Sequence, residues 1–246
     1  MSLSTEHRHK AALVFGGSRG IGAAIVARLA QDGYAVAFTY LSQGGKANEL
    51  VQAVVAEGGD AFAIQADSAD PAAIKAAVAK AVERFGPIDV LVVNAGILRR
   101  GTVDVFPLDE LDLMLDVNVR GVFLAIQATT PHLVDGGRVI TIGSCVAVRT
   151  GMAGTSVYQF TKAAVAAMVK GIALDLAPRR ISVNNIQPGP TSTDLTAPAI
   201  EMLTEISPLH RVAQPQEIAG LVSYLASDEA GYMTGASLTI DGGLTL

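Results

Sequence analysis

Seven short runs of apolar residues, many of them β-branched, recur along the chain: Ala11–Phe15, Ala35–Tyr40, Ala61–Gln65, Ile88–Val93, residues 138–142, residues 181–187 and Ser237–Ile240. They show almost no alternation of apolar with polar positions. Both faces of each predicted strand should therefore be buried, as in a parallel sheet covered by helices. Longer stretches with helical spacing lie between them, at Gly20–Gln31, 47–56 and 72–85. The third follows Asp70-Pro71, a capping residue with proline at the first helical position. This alternation predicts an α/β fold: one doubly wound domain, a seven-stranded parallel sheet with helices on both faces.

No internal repeat, low-complexity segment or linker divides the sequence, so residues 10–246 read as a single domain. Residues 1–9 are polar and are expected to form a flexible leader. His7 and His9 then read as tail residues, and no metal site is expected. The least regular stretch is residues 188–212, rich in Pro, Thr and Ser. Ligands of an open α/β sheet sit beyond the carboxyl ends of its strands. A long connection leaving one of those ends is expected to be a substrate lid.

Composition narrows the function. Half of the 246 residues are hydrophobic and only 17% are charged, enough for a large core of closely packed small residues. A net charge of −5 gives no footprint for nucleic acid or an anionic membrane. A single cysteine, Cys145, excludes an intrachain disulfide and points to a reducing compartment. No run approaches the ~18 apolar residues of a membrane helix, and no apolar segment suggests a signal peptide. The expected location is the cytoplasm.

Directly after the first run stands Gly16-Gly17-Ser18-Arg19-Gly20-Ile21-Gly22, and a helical pattern follows at once. Glycines between a strand and a helix permit a tight turn whose N–H groups meet a pyrophosphate at the helix N-terminus, the Rossmann arrangement. An NAD site usually places an acid about 20 residues further on, to accept from the ribose hydroxyls. Here the second run ends Phe38-Thr39-Tyr40-Leu41-Ser42, and the next acid is Glu49. No carboxylate would repel a 2′-phosphate, Arg19 offers it a charged donor, and Tyr40 and Ser42 add hydroxyls. The cofactor predicted is NADP(H).

Tyr158 and Lys162 are four residues apart in a predicted helix of residues 158–177, so they share a face. An ammonium ~4 Å from a phenolate, at an effective dielectric of ~20, contributes about 4 kcal/mol. That lowers a tyrosine pKa by roughly 3 units, towards neutrality, where the hydroxyl can act as a general acid. Ser144 follows the fifth run, and Asn94-Ala95-Gly96 follows the fourth, at the same edge of the sheet. Asn118 lies in the helical stretch between them. Cys145 has no cationic neighbour in the sequence and reads as an inert buried residue. His210 reads as a surface residue of the lid.

From about Lys10 to Leu246 these motifs, in this order, resemble the short-chain dehydrogenase/reductase family in its shorter form. Within the family they are similar to carbonyl reductases of the 3-oxoacyl-carrier-protein reductase kind. The resemblance implies hydride transfer from NADPH to a ketone carbonyl, giving a secondary alcohol. It makes Tyr158 the general acid and Ser144 a donor to the same oxygen. Lys162 would hold the nicotinamide ribose and lower the Tyr158 pKa, and Asn118 would position a water behind Lys162. Asn94, Ala95 and Gly96 would edge the cofactor, and Asp67 and Ser68 would meet the adenine. Pro188, Gly189, Pro190 and Thr191 would lie at the carboxamide. Asp241-Gly242-Gly243 matches a closing motif usually placed in a tetramer interface, so a homotetramer is expected.

Two departures stand out. Phe15 replaces the threonine usual before the glycine turn. The segment Pro131-His132-Leu133-Val134-Asp135-Gly136-Gly137 lacks the basic cluster that carrier-protein reductases carry there, although Arg99 and Arg100 could compensate. Small or medium ketones are then the expected substrates, in a pocket of Val146, Met152, Leu195, Met202 and Leu203. Residues 16–26, 38–40, 67–70 and 187–190 are also similar to a cyclic-di-GMP-associated member of the family, which leaves a regulatory binder as the alternative.

Overall fold

The computed structural model describes residues 9–246; His7 lies outside them, and His9 is exposed. Strand and helix alternate as β1 (Ala11–Phe15), α1 (Gly20–Gln31), β2 (Ala35–Tyr40), α2 (Gly44–Ala56), β3 (Ala61–Gln65), α3 (Pro71–Phe85) and β4 (Ile88–Val93). The chain continues as α4 (Leu108–Leu115), α5 (Gly121–Thr129), β5 (Leu133–Ile142), α6 (Ser156–Leu176), β6 (Ser182–Pro188), α7 (Ile200–Ile206), α8 (Pro215–Ala226) and β7 (Ser237–Ile240). Among the described residues seven strands form one sheet in the order β3-β2-β1-β4-β5-β6-β7. Every neighbouring pair is parallel.

Alternate residues of each strand feed two cores, one on each face. Leu13, Phe15, Leu91 and Val139 pack with Ile74 and Val78 of α3, Ile126 of α5 and Val169 of α6. Val14, Phe38, Val92 and Ile140 pack with Ile25 and Leu29 of α1 and Val222 of α8. This double burial is why the strands carry no polar stripe. Strand order reverses between β1 and β4, so the loops leaving their carboxyl ends diverge and open a crevice.

Several boundaries differ from the sequence reading. β5 begins at Leu133, not at 138, because Leu133 pairs with Ile88 before the register shifts and Arg138 pairs with Val90. Gly136, at φ 79°, permits the excursion between the two pairings. β6 is displaced by one residue at each end, and α2 starts three residues early. Asp70 caps α3 as expected, its side chain accepting from the Ala72 N–H at 2.8 Å. No helix among the described residues is long and apolar enough to cross a membrane.

The stretch 188–212 is less irregular than its composition suggests. It carries a 3₁₀ turn, Ala197–Ala199, and then α7, whose Leu203 is buried. Its two ends are stitched together, since Ala213 N–H donates to Pro190 and Ser192 N–H to Ala213. The stretch between them forms a flap that leaves β6 and returns to the same place before α8.

Candidate active site

The turn after β1 sets one end of the crevice. Gly16 and Gly20 have φ of 78° and 53°, a region that disfavours side chains. A Cβ at Gly16 would meet the Ala95 backbone at 2.8 Å, and one at Gly22 would meet the Gly16 carbonyl oxygen at 2.0 Å. Phe15 is packed in the core, so the hydroxyl expected before the turn is absent. Two other side chains brace it instead. Thr39 Oγ1 accepts from Gly16 N–H at 2.9 Å, and Asn94 Nδ2 donates to the Gly16 carbonyl at 2.7 Å. Arg19 precedes α1 with extended backbone and makes no side-chain cap. The first N–H groups of α1 therefore stay available to an anion, which fits the pyrophosphate of a dinucleotide.

A cavity of about 660 Å³ runs from this turn across the ends of β4, β5 and β6. Every cofactor contact expected from the sequence lines it except Gly22 and Ser42. Gly22 lies behind the turn, tight against Gly16. Ser42 is exposed beyond β2 and does not face the cavity.

At the other end, Ser144, Tyr158 and Lys162 share one wall. Ser144 leaves β5 and starts a 3₁₀ turn, its Oγ accepting from Val146 N–H at 3.4 Å. Burial pushes the Tyr158 hydroxyl up to about 12, although the Ser144 side chain opposes the shift. Burial alone brings the Lys162 ammonium down to about 8. The lysine therefore does not draw the tyrosine towards neutrality here, contrary to the reading from helix spacing. Lys162 Nζ donates to the Ile142 carbonyl at 3.0 Å and lies 5.8 Å from the centre of the Tyr158 ring. A buried cation held by a carbonyl, not a carboxylate, can still donate to neutral hydroxyls such as those of a ribose.

Asn118 is fully buried, in a wide π-helical turn, Asp116–Arg120, rather than in plain helix. Its amide exchanges two 2.8 Å bonds with Ile97 and donates to Thr161 Oγ1 at 3.2 Å. It ties the loop after β4 to α6. Gly96 sits where Asn118 and Lys162 approach, since a Cβ there would stand 3.2 Å from Nζ and 3.3 Å from Oδ1. Cys145 is buried and its thiol is pushed up to about 11, first by burial and then by the charge of Asp241. That shift keeps the thiol protonated at neutral pH.

Of the predicted apolar pocket, Val146, Met152, Leu195 and Leu203 line the cavity, joined by Leu98, Ile206 and Leu244. Met202 does not; the turn of α7 carries it to the outer face, where it is 39% exposed. His210 also lies outside, at φ 50°. Arg99 is turned towards α4 by Glu110 at 2.8 Å, whereas Arg100 lines the cavity. The sequence reading missed one charged group. Lys46 of α2 meets Asp194 of the flap at 3.2 Å, and Arg19 meets the same oxygen at 3.6 Å. The segment 131–137 lies at the amino end of β5, opposite the cavity, so its charge does not bear on this chain's own crevice.

Residues 16–245 match the family model described as enoyl-(acyl carrier protein) reductase. The 3-oxoacyl-[acyl-carrier-protein] reductase FabG of Staphylococcus aureus is 41% identical over 242 residues, 96% of this chain and 98% of that relative. Among solved structures, a short-chain dehydrogenase/reductase from Serratia marcescens is 50% identical with a TM-score of 0.94, covering 96% of this chain and 98% of its own. A short chain dehydrogenase from Burkholderia cenocepacia in complex with NADP is 45% identical, with the same TM-score and coverage.

Proposed function

The chain belongs to the short-chain dehydrogenase/reductase family, and we propose that it reduces a ketone to a secondary alcohol with NADPH. The observation that carries this reading is one cavity joining an uncapped helix N-terminus to the Ser144–Tyr158–Lys162 wall. The family's use of NAD(P) and the NADP bound by a relative 45% identical support the cofactor.

NADPH, when bound, supplies the hydride. The protein's own groups supply the rest. Turn residues 16–21 would hold the pyrophosphate, Arg19 the 2′-phosphate beside Tyr40, and Asp67 and Ser68 the adenine end. Gly96, Pro188, Gly189 and Thr191 would bound the nicotinamide. The Ser144 and Tyr158 hydroxyls, on the lining of the same cavity, would both point at the carbonyl oxygen. Tyr158 gives that oxygen its proton, which the raised pKa keeps in place at neutral pH. Lys162 would hold the ribose and return a proton to Tyr158. Asn118 fixes the floor beneath them.

The cavity beyond Tyr158 is mostly aliphatic, which suits a small or medium ketone. The flap 188–212 closes over it as a lid. Exposed Leu108, Leu113 and Phe123, on α4 and α5, support assembly, and a cytoplasmic homotetramer is part of the proposal.

The test is NADPH consumption by the purified protein with ketones, ketoesters and acetoacetyl thioesters. Turnover that falls by about 10²–10⁴-fold in Tyr158→Phe is expected. Turnover confined to thioesters would assign carrier-type substrates. Cofactor binding without turnover on any ketone would overturn the reading. Calorimetric binding of cyclic-di-GMP would then favour the regulatory alternative.

A further inference from the structure

The charged cluster over the glycine turn has no role in holding the fold's core, yet it joins three separate elements. Arg19 comes from the turn before α1, Lys46 from the first turn of α2, and Asp194 from the flap. Both cations reach the same atom, Asp194 Oδ2, at 3.6 and 3.2 Å. The hydrogen bond and charge of Lys46, with a smaller contribution from Arg19, hold the Asp194 carboxyl below the usual carboxylate range. The protein's own anion thus marks a point that two cations already share.

That point belongs to the cavity, since Arg19, Tyr40 and Asp194 all line it. It lies beyond the end of β2, where no acid is present to receive ribose hydroxyls. α2 starts close by without a side-chain cap, and a Cβ on its first residue, Gly44, would stand 3.5 Å from the Tyr40 ring. The helix end adds partial positive charge at the same place. Resting on the reading that the cavity takes NADPH, we propose that Lys46 is a second ligand of the adenosine 2′-phosphate and that Asp194 is a resident anion which this phosphate displaces. All three side chains are about half exposed, so the resident pairs are weak and exchange readily. A phosphomonoester brings up to two charges and three acceptor oxygens against the single charge of Asp194. NAD lacks that group and leaves the cluster as it is. Cofactor choice then rests on three residues, one of them an opponent.

Calorimetric titration of the full chain with NADP⁺, NAD⁺ and 2′-AMP tests this without any turnover. Lys46→Gln is expected to weaken NADP⁺ and 2′-AMP about tenfold and to leave NAD⁺ unchanged. Asp194→Asn is expected to tighten NADP⁺ and 2′-AMP about threefold, again without changing NAD⁺. Unchanged NAD⁺ affinity shows that both variants keep the folded cavity. A wild type that prefers NADP⁺ with no effect of Lys46→Gln, or with NAD⁺ weakened equally, overturns this inference alone. So does weaker NADP⁺ binding in Asp194→Asn. A wild type that binds NADP⁺ and NAD⁺ equally overturns the NADPH reading itself.

Discussion

Lys162 donates to the backbone carbonyl of Ile142 at 3.0 Å. The bond pins the second turn of α6 to the last residue of β5, two positions before Ser144. Ser144, Tyr158 and Lys162 are thereby held by one rigid junction rather than by loops. Positioning on a strand end and a helix face is what general acid chemistry requires of its donors.

Lys162 also makes stability depend on pH. Unfolded, a lysine keeps its proton to about 10.5; here burial lowers that to about 8. Between those values the unfolded chain binds more protons, so stability rises with pH. Tyr158 acts oppositely: it holds its proton to about 12 when folded and to 10.0 when unfolded, so stability falls above pH 10. The cofactor-free protein should therefore be most stable near pH 10 as far as this pair decides. Lys162→Met should abolish the rise from pH 8 and stabilise the protein at pH 7 by up to about 3 kcal/mol, while removing activity. Denaturant midpoints across pH 7–11 check this; a rise that persists in the variant belongs to another group.

Ser144→Ala removes the one interaction that favours ionised Tyr158. The variant should lose about 100-fold in kcat, with cofactor affinity unchanged, because the proposed role puts Ser144 at the carbonyl oxygen and not at the phosphates. Its Tyr158 should titrate at still higher pH, which ultraviolet difference spectra would follow. Equal losses in cofactor binding would place Ser144 in a merely structural role.

The seven strands and most of their limits were legible because apolar runs of five or six residues carry a single message when both faces are buried. β5 was read short since Asp135, Gly136 and Gly137 look like a turn, and a bulge can hold such residues in a strand. The turn was legible from its place between a strand and a helix, and Tyr158 and Lys162 from their order with Asn94, Asn118 and Ser144 along the chain. What they do to one another was not. Spacing places Lys162 beside Tyr158 but cannot say that its nitrogen is held by the Ile142 carbonyl and that burial raises the tyrosine. Lys46 escaped notice because its partner lies 148 residues away. Met202 and Leu203 are adjacent in sequence, and only the rotation of α7 separates pocket from surface.

The turn is braced from two directions, and both can be removed. Thr39→Val leaves Gly16 N–H without its acceptor and should cost about 1–3 kcal/mol. It should weaken NADPH several-fold through a looser turn. Gly22→Ala is more severe, because the new methyl would meet the backbone oxygen of Gly16 at 2.0 Å, and backbone cannot swing aside. Loss of cofactor binding with a fall in Tm is expected. A Gly22→Ala protein that binds NADPH normally would show that the turn tolerates a shift not present here.

Leu203 and Met202 offer an internal control for the lid. Leu203 is 6% exposed and lines the cavity, whereas Met202 is 39% exposed and points away from it. Leu203→Ala should raise KM for a medium-sized ketone about tenfold, since a few buried methylenes contribute 1–3 kcal/mol of discrimination. Small ketones, which leave that part of the pocket empty, should be affected much less. Met202→Ala should change neither. Comparing KM for a short and a long ketone in both variants decides the matter. If Met202→Ala shifts the ratio and Leu203→Ala does not, the inner face of α7 is not the one that meets substrate.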